Sequence, residues 1–160
     1  MNIAYWHLVV NHLPLVFPLA GAVLLMIGLI FRSEVSKRNA YFLLILGATT
    51  TMLAMATGEG AEENLSGLPQ IAKTVIQHHE EIAGHFATLS YLLGVTALCA
   101  LVLSFKTTEL NRIMPFFILP LVVITLYYAQ SAGETGSKIR HTEIQTPPTS
   151  LSGKSTEAKP

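Results

Sequence analysis

The chain has 160 residues, of which 51% are hydrophobic and only 12% are charged. A soluble domain of this size carries about a quarter charged residues, so the composition favours a chain that lies in a lipid bilayer. The formal net charge is +0, and no nucleic-acid-binding motif occurs, so nucleic acid is excluded as a partner. The single cysteine, Cys99, excludes an internal disulfide, and no haem-attachment or zinc-ribbon spacing is present.

Four segments without Asp, Glu, Lys or Arg follow one another along the chain. Each is about 20 residues long, the length that a helix rising about 1.5 Å per residue needs to cross a hydrocarbon core about 30 Å thick. We therefore predict an all-α, integral membrane four-helix domain within residues 1–141. The predicted spans are residues 12–31, 40–58, 82–105 and 113–133.

Two of the three connections are short and polar, which predicts antiparallel neighbours in an up-down-up-down bundle. Because cytoplasmic loops are enriched in Lys and Arg, we predict a bacterial inner-membrane protein with both termini in the periplasm. Lys138 and Arg140, just after the fourth span, oppose this orientation. The basic residues that support it are Arg32, Lys37, Arg38, Lys106 and Arg112.

The two ends of the chain are interpreted separately. The first span lacks a basic n-region and is too long for a secretory signal, so we expect it to be retained. Residues 142–160 are rich in Thr, Ser, Pro and Lys. They carry too few large apolar side chains to offset the cost of ordering, so we predict a disordered tail.

All six histidines lie on the predicted outer side of the membrane. Counting residues outward from the cytoplasmic border separates the polar side chains into two layers. The inner layer, near the outer hydrocarbon boundary, takes one residue from each helix: His12, Glu59, His85 and Glu134. The outer layer holds His7, Glu62, Glu63, His78, His79 and His141.

Helical spacing predicts which of these side chains share a face. His78, Glu81 and His85 are separated by three and four residues, which places them on one face of the third helix. Glu134 and His141 are seven residues apart and share a face if the fourth helix continues that far. We therefore expect these groups to converge at the outer end of the bundle.

This arrangement favours a b-type haem held between His12 and His85. Non-covalent haem needs axial ligands on its two faces, and in helical bundles these come from facing helices. In the predicted topology the first and third helices are diagonal across the core, and the two histidines match in depth. A second haem or ligand site would pair His78 or His79 with His141 in a wetter zone, and His7 is a further candidate haem-binding residue.

Two other interpretations stay open. A non-haem metal ion would use the glutamates and histidines that several helices contribute, but the repeated Glu-x-x-His pair of di-iron bundles is missing. In a cofactor-free structural subunit the same side chains would be interfacial or solvated, since ionisable groups at the membrane edge are weaker functional signals than central ones. The candidate non-haem ligands are Glu59, Glu81, His78 and Glu134.

The segment from His7 to Pro18, with His12 and Pro14 inside it, resembles the opening motif His-Pro-x-x-Val-His-Phe-Pro of the bacterial membrane family called domain of unknown function 2231. The likeness continues through Thr57-Gly58 and covers about residues 5–141 of the chain. Leu8 stands where the family usually has proline.

Later positions carry the same resemblance, in residues 78–85 and in Gly133-Glu134 followed by His141. The spacing from Gly133 to His141 is longer than in the family's usual ending, which puts the pairing of His141 in doubt. The resemblance implies four spans. Some members of the family are fused to Rieske or c-type cytochrome modules, which implies a redox setting.

Together these patterns predict a small membrane redox protein. We expect it to transfer electrons between the quinone pool and a periplasmic partner, such as a Rieske protein, a c-type cytochrome or a larger membrane complex. The alternative is a metal-binding or assembly subunit. An electron-transfer or accessory role is expected in preference to stand-alone enzymatic turnover.

Overall fold

A computed structural model describes residues 11–62, 70–106 and 109–140, without the side chains of residues 59–62, 70–73 and 138–140. Within these ranges the chain forms four helices and no strand, which confirms the predicted all-helical class. The helices are α1 Leu13–Ile30, α2 Glu34–Glu62, α3 Gln70–Leu103 and α4 Glu109–Arg140. The tail predicted for residues 142–160 lies outside the described residues.

All four helices are long and apolar enough to cross a membrane. Only 28% to 39% of each span is buried inside the bundle, so most of the apolar surface faces outward. Phe116 and Phe117, for example, are each 63% exposed. A bilayer is the environment that such a surface requires, because exposing it to water would forfeit the hydrophobic stabilisation of the fold.

Each helix packs against two others. α1 and α3 both pack on α2 and on α4, so α1 and α3 occupy opposite corners of the bundle. Small residues bring the backbones close: a Cβ built at Gly21 would lie 2.8 Å from Leu44 Cδ2, and one built at Gly47 would lie 2.7 Å from Pro18 Cγ. These two contacts show that residue numbers rise along α1 as they fall along α2.

The turn between α1 and α2 is closed by backbone and side-chain caps. Arg32 has a positive φ of 52°, and the Ser33 N–H donates back to the Gly28 carbonyl at 2.9 Å, the pattern of a Schellman helix ending. The Ser33 hydroxyl then accepts from the Ser36 N–H at 3.2 Å, which caps the start of α2. The polar connection therefore reverses the chain within three residues.

The apolar core lies toward the Lys- and Arg-rich end of the bundle. It is followed outward by a layer of buried hydroxyls, called here the polar layer: Thr51, Ser90 and Thr125, each at most 1% exposed. Thr51 Oγ1 bonds the Gly47 carbonyl at 2.9 Å and lies 2.8 Å from Ser90 Oγ, so α2 and α3 are level there. The core residues are Leu25, Ala40, Tyr41, Leu44, Leu93, Ala97, Ala100, Ile118 and Val122.

Arg38 fixes the basic end of α2 to the end of α3. Its Nε donates to Ser104 Oγ at 3.1 Å, its Nη2 donates to the Ser104 carbonyl, and its guanidinium lies 4.4 Å from the centre of the Phe105 ring. A cation is favourable at a helix C-terminus, where carbonyl groups lack intrahelical partners. Arg38 therefore joins α2 to the end of α3 at the basic end of the bundle, and the candidate site lies at the opposite end, where the described histidines are.

Candidate functional site

His12 lies at the N-terminal boundary of α1, where its carbonyl accepts from the N–H groups of Leu15 at 3.2 Å and Val16 at 3.1 Å. Its side chain makes no capping hydrogen bond and is exposed. Pro14, which has no N–H to satisfy, is well suited to the first turn. The backbone of His12 thus starts the helix while its imidazole takes no part in capping.

His85 lies on α3 with an exposed side chain. Its ring centre is 5.9 Å from that of Tyr128 on α4, with the two ring planes 58° apart. Tyr128 in turn makes an edge-to-face contact with Tyr127 at 5.5 Å. Tilted contacts of this kind are favourable between aromatic rings, so Tyr128 restricts the orientation of the His85 ring.

His12 and His85 lie at similar depths, judged from the packing of the helices. Pro18 of α1 packs beside Gly47 of α2. Counted toward the histidine-bearing end, His12 is six residues from Pro18, and Thr51 of the polar layer is four residues from Gly47. His12 therefore lies about 3 Å beyond the polar layer, and His85, five residues past it on α3, lies about 7.5 Å beyond it. The difference of about 4.5 Å is less than one helical turn.

The side chains of His78, Glu81 and His85, which were predicted to share a face, lie outside the packed core of the bundle. All three side chains are exposed. The interior-facing positions of α3 at this end include Phe86, which is 7% exposed, and His79, which is half-buried and seven residues before Phe86. His79, not His78, therefore lies on the core-facing side of α3.

His79 joins α3 to α4. Its Nδ1 lies 2.9 Å from Thr135 Oγ1, and Thr135 is 6% exposed. A Cβ built at Gly136 would lie only 3.2 Å from His79 Cε1, so the ring rests directly against the backbone of α4. This contact brings together two helices at the histidine-bearing end of the bundle.

The glutamates proposed as non-haem ligands do not gather with the histidines among the described side chains. Glu81 and Glu134 are exposed, and Glu134 Oε1 accepts from Gln130 Nε2 on its own helix at 3.0 Å. No group of three His, Cys, Asp or Glu that could hold a metal ion occurs in the described part of the chain. The side chain of Glu59 lies outside it, as do His7 and His141.

Sequence reasoning did not single out Tyr128 as a partner of His85, or Thr135 as a partner of His79. His79 is separated by multiples of seven residues from Phe86, Leu93 and Ala100, all of which are buried. The sequence alone did not reveal this, because Leu92 and Cys99, spaced in the same way from His78, are also apolar. No sequence signal exists for Thr135 either, because its partner lies on another helix.

Comparison with known proteins gives no match: no family model, no curated protein and no solved structure resembles the chain at a significant level.

Proposed function

We propose that the chain is a small membrane electron-transfer protein that binds one b-type haem through His12 and His85 near the outer face. The observation that carries the proposal is the placement of the two histidines. They lie on α1 and α3, at opposite corners of the bundle, with exposed side chains at depths that differ by less than one turn. Two imidazoles on facing helices are the ligand set of a bis-histidine haem.

Ligand number favours haem over a non-haem ion. A porphyrin supplies four of the six iron ligands, so the protein has to supply only two. A non-haem ion needs three or four protein ligands, and the described side chains contain no such group. The non-haem site is therefore the weaker candidate for the described part of the bundle.

The surroundings of His85 fit a flat ligand at the open end of the bundle. Phe86 is 7% exposed and fills the interior beside His85, so a macrocycle would lie beyond Phe86 and not within the packed core. Next to His85, a Cβ built at Gly84 would have no atom within 4 Å, so the backbone leaves room there. When bound, haem would supply reversible one-electron chemistry, while the His85–Tyr128 contact would orient the ligand ring.

The same proposal includes the topology and the partners. The inter-helix contacts support an up-down-up-down bundle, and the basic residues near the α1–α2 and α3–α4 connections support a cytoplasmic location for that end. Both termini would then lie in the periplasm of a bacterial inner membrane. Electrons would pass between the quinone pool and a periplasmic Rieske or c-type cytochrome partner, as the family resemblance suggests.

A difference spectrum tests the haem proposal. Membranes from haem-supplemented expression should show a reduced-minus-oxidised b-type spectrum, which His12→Ala and His85→Ala should each abolish. His78→Ala is the matched control, since His78 is also an exposed α3 histidine. A flat wild-type spectrum, or a spectrum that survives both ligand substitutions, would show that these histidines hold no haem.

A further inference from the structure

The exposed face of α4 changes from apolar to polar toward the histidine-bearing end of the bundle. Its side chains recur at intervals of three and four residues, which places them on one side of the helix. Apolar residues come first, then Tyr127, and then polar residues. Tyr127 is 68% exposed, so its ring lies where the lipid-facing surface gives way to polar side chains. This face, called here the α4 stripe, consists of Phe116, Pro120, Val123, Tyr127, Gln130 and Glu134.

The α4 stripe reaches the depth of the proposed haem ligands at Tyr127 and Gln130. Counted from Thr125 of the polar layer, Tyr127 is two residues and Gln130 five residues farther along α4. At about 1.5 Å per residue, these positions lie about 3 Å and about 7.5 Å beyond the polar layer. Those are the depths of His12 and His85.

Two ring contacts connect Tyr127 to His85. The rings of Tyr127 and Tyr128 meet edge to face with their centres 5.5 Å apart, and the Tyr128 ring centre is 5.9 Å from that of His85. Tyr127 is exposed whereas Tyr128 is half-buried, so the contacts lead from the lipid-facing surface of α4 to the histidine of α3. A flat ring held against Tyr127 would therefore be joined to His85 through two tyrosine rings.

Gln130 and Glu134 supply polar groups beside this aromatic surface. Gln130 Nε2 donates to Glu134 Oε1 at 3.0 Å, and both side chains are exposed. A carboxylate has about four acceptor sites, of which Gln130 uses one. Glu134 therefore keeps the capacity to accept a hydrogen bond or a proton from a bound molecule.

The chemistry of this face fits a hydroquinone dissolved in the lipid. Its ligand has to be lipid-soluble, because Tyr127 adjoins the apolar part of the α4 stripe, and an aromatic ring packs favourably on the tyrosine. A carboxylate favours a ligand that donates, and a hydroquinone donates through its hydroxyl groups. The anionic phosphate of a lipid headgroup would instead be repelled by the charge of Glu134.

We propose that the Tyr127–Gln130–Glu134 face of α4 oxidises a lipid-soluble hydroquinone, with Tyr127 holding the ring and Glu134 accepting the hydroxyl protons. The inference rests on the proposed function, because the electrons go to the haem iron held by His12 and His85. Oxidation of one hydroquinone to a quinone breaks two O–H bonds and releases two electrons and two protons. The electrons pass one at a time to ferric iron, which the periplasmic partner reoxidises after each transfer. Each proton goes to the Glu134 carboxylate and from there to water.

Binding is tested on the full chain without haem. The His12→Ala variant removes one proposed haem ligand and leaves the ring contacts of His85 in place. With ¹³C-labelled tyrosine, in phosphatidylcholine nanodiscs under argon, it is titrated with decylubiquinol and followed by aromatic ¹³C NMR. The Tyr127 and Tyr128 signals should shift and saturate. Those of Tyr91, a lipid-facing tyrosine of α3 that is 37% exposed, should not.

Substitutions in the α4 stripe test the aromatic surface. Tyr127→Leu should weaken decylubiquinol binding about 2- to 10-fold, the loss of one aromatic contact, as followed by the Tyr128 signals. Phe116→Leu is the matched control, because Phe116 lies on the same stripe and is 63% exposed, and it should bind as the unsubstituted stripe does. Shifts that never saturate, or that are equal for Tyr91 and Tyr127, would show partition into the lipid only and overturn the inference.

The role of Glu134 is tested by the rate of haem reduction. In the haem-loaded chain, Glu134→Gln should slow reduction by decylubiquinol about 100-fold, the contribution of a general base, and leave reduction by dithionite unchanged. Glu81→Gln, which changes an exposed carboxylate of α3, should leave both rates unchanged. Equal rates with decylubiquinol for the wild type and Glu134→Gln would show that Glu134 accepts no proton from the hydroquinone.

The outcomes separate this inference from the haem proposal. A chain that shows the b-type spectrum but binds decylubiquinol without dependence on Tyr127 would refute the hydroquinone site and leave the His12–His85 haem standing. A chain that binds decylubiquinol through Tyr127 but shows no haem spectrum would refute the haem proposal and the oxidation together, and leave only a hydroquinone-binding face.

Discussion

A close approach between α2 and α3 leads to a quantitative prediction about Gly94. A Cβ built at Gly94 would collide with Ala48 Cβ. Ala48 Cβ is bonded directly to the backbone of α2, so no side-chain rotation relieves the collision and the helices must separate. Overpacking of this kind costs about 1–3 kcal/mol, while replacing a helical glycine by alanine returns about 1 kcal/mol of helix propensity. We expect Gly94→Ala to destabilise the bundle by up to about 2 kcal/mol.

The assay is unfolding by sodium dodecyl sulfate in mixed micelles, followed by far-ultraviolet circular dichroism. Gly84→Ala is the matched control: a Cβ there would have no atom within 4 Å, so this variant should be as stable as the wild type or more stable. Adding Ala48→Gly to Gly94→Ala reopens the space and should recover stability beyond that expected from the two single variants. Equal stabilities for Gly94→Ala and Gly84→Ala, or no recovery in the double variant, would refute the proposed packing.

Three further predictions concern other parts of the bundle. Ser90→Ala should cost only about 0.5–1.5 kcal/mol in the same unfolding assay, because Thr51 keeps its bond to the Gly47 carbonyl; a much larger loss would mean that Ser90 has another role. Arg38→Lys should lower stability by about 1–3 kcal/mol, because lysine cannot reproduce the paired contacts with Ser104, and a neutral result would count against the cap. Cys99 is exposed on the surface of the bundle, within the apolar span of α3, so a water-soluble maleimide should fail to label it in intact membranes and label it after denaturation; rapid labelling in intact membranes would place this face in water.

The number and apolar composition of the helices in the described part of the chain were predictable from the sequence. In a chain with so little charge, a charge-free segment of about 20 residues has few alternative structures to a membrane-spanning helix. A helix satisfies each backbone polar group within the segment itself, as a bilayer requires. The structure has four helices at these positions and extends them, for example to Gln70 at the start of α3. Polar residues outside the hydrocarbon core can extend a helix without contributing to the apolar window that identifies the span. The ends of the helices were therefore less predictable than their positions.

The sequence also placed His12 and His85 at similar depths, because depth depends only on the rise per residue along each helix. The direction of each side chain was a different problem. In a membrane helix the lipid-facing and core-facing positions are both apolar, so hydrophobic periodicity does not distinguish them as it does in a soluble helix. Spacing alone therefore grouped His78 with His85 and gave no reason to prefer the neighbouring His79.

Only the tertiary structure decided which histidine faces the interior and what it touches. The rotation of α3 is set by close approaches, such as Gly94 against Ala48, and by the Thr51–Ser90 hydrogen bond. With that rotation His79 meets Thr135, 56 residues away in the chain. The sequence determined the similar depths of His12 and His85, because depth follows from the rise per residue. Helix packing determined where the imidazoles of the described histidines point, because close contacts between small residues select one rotation of each helix, and composition does not specify that rotation.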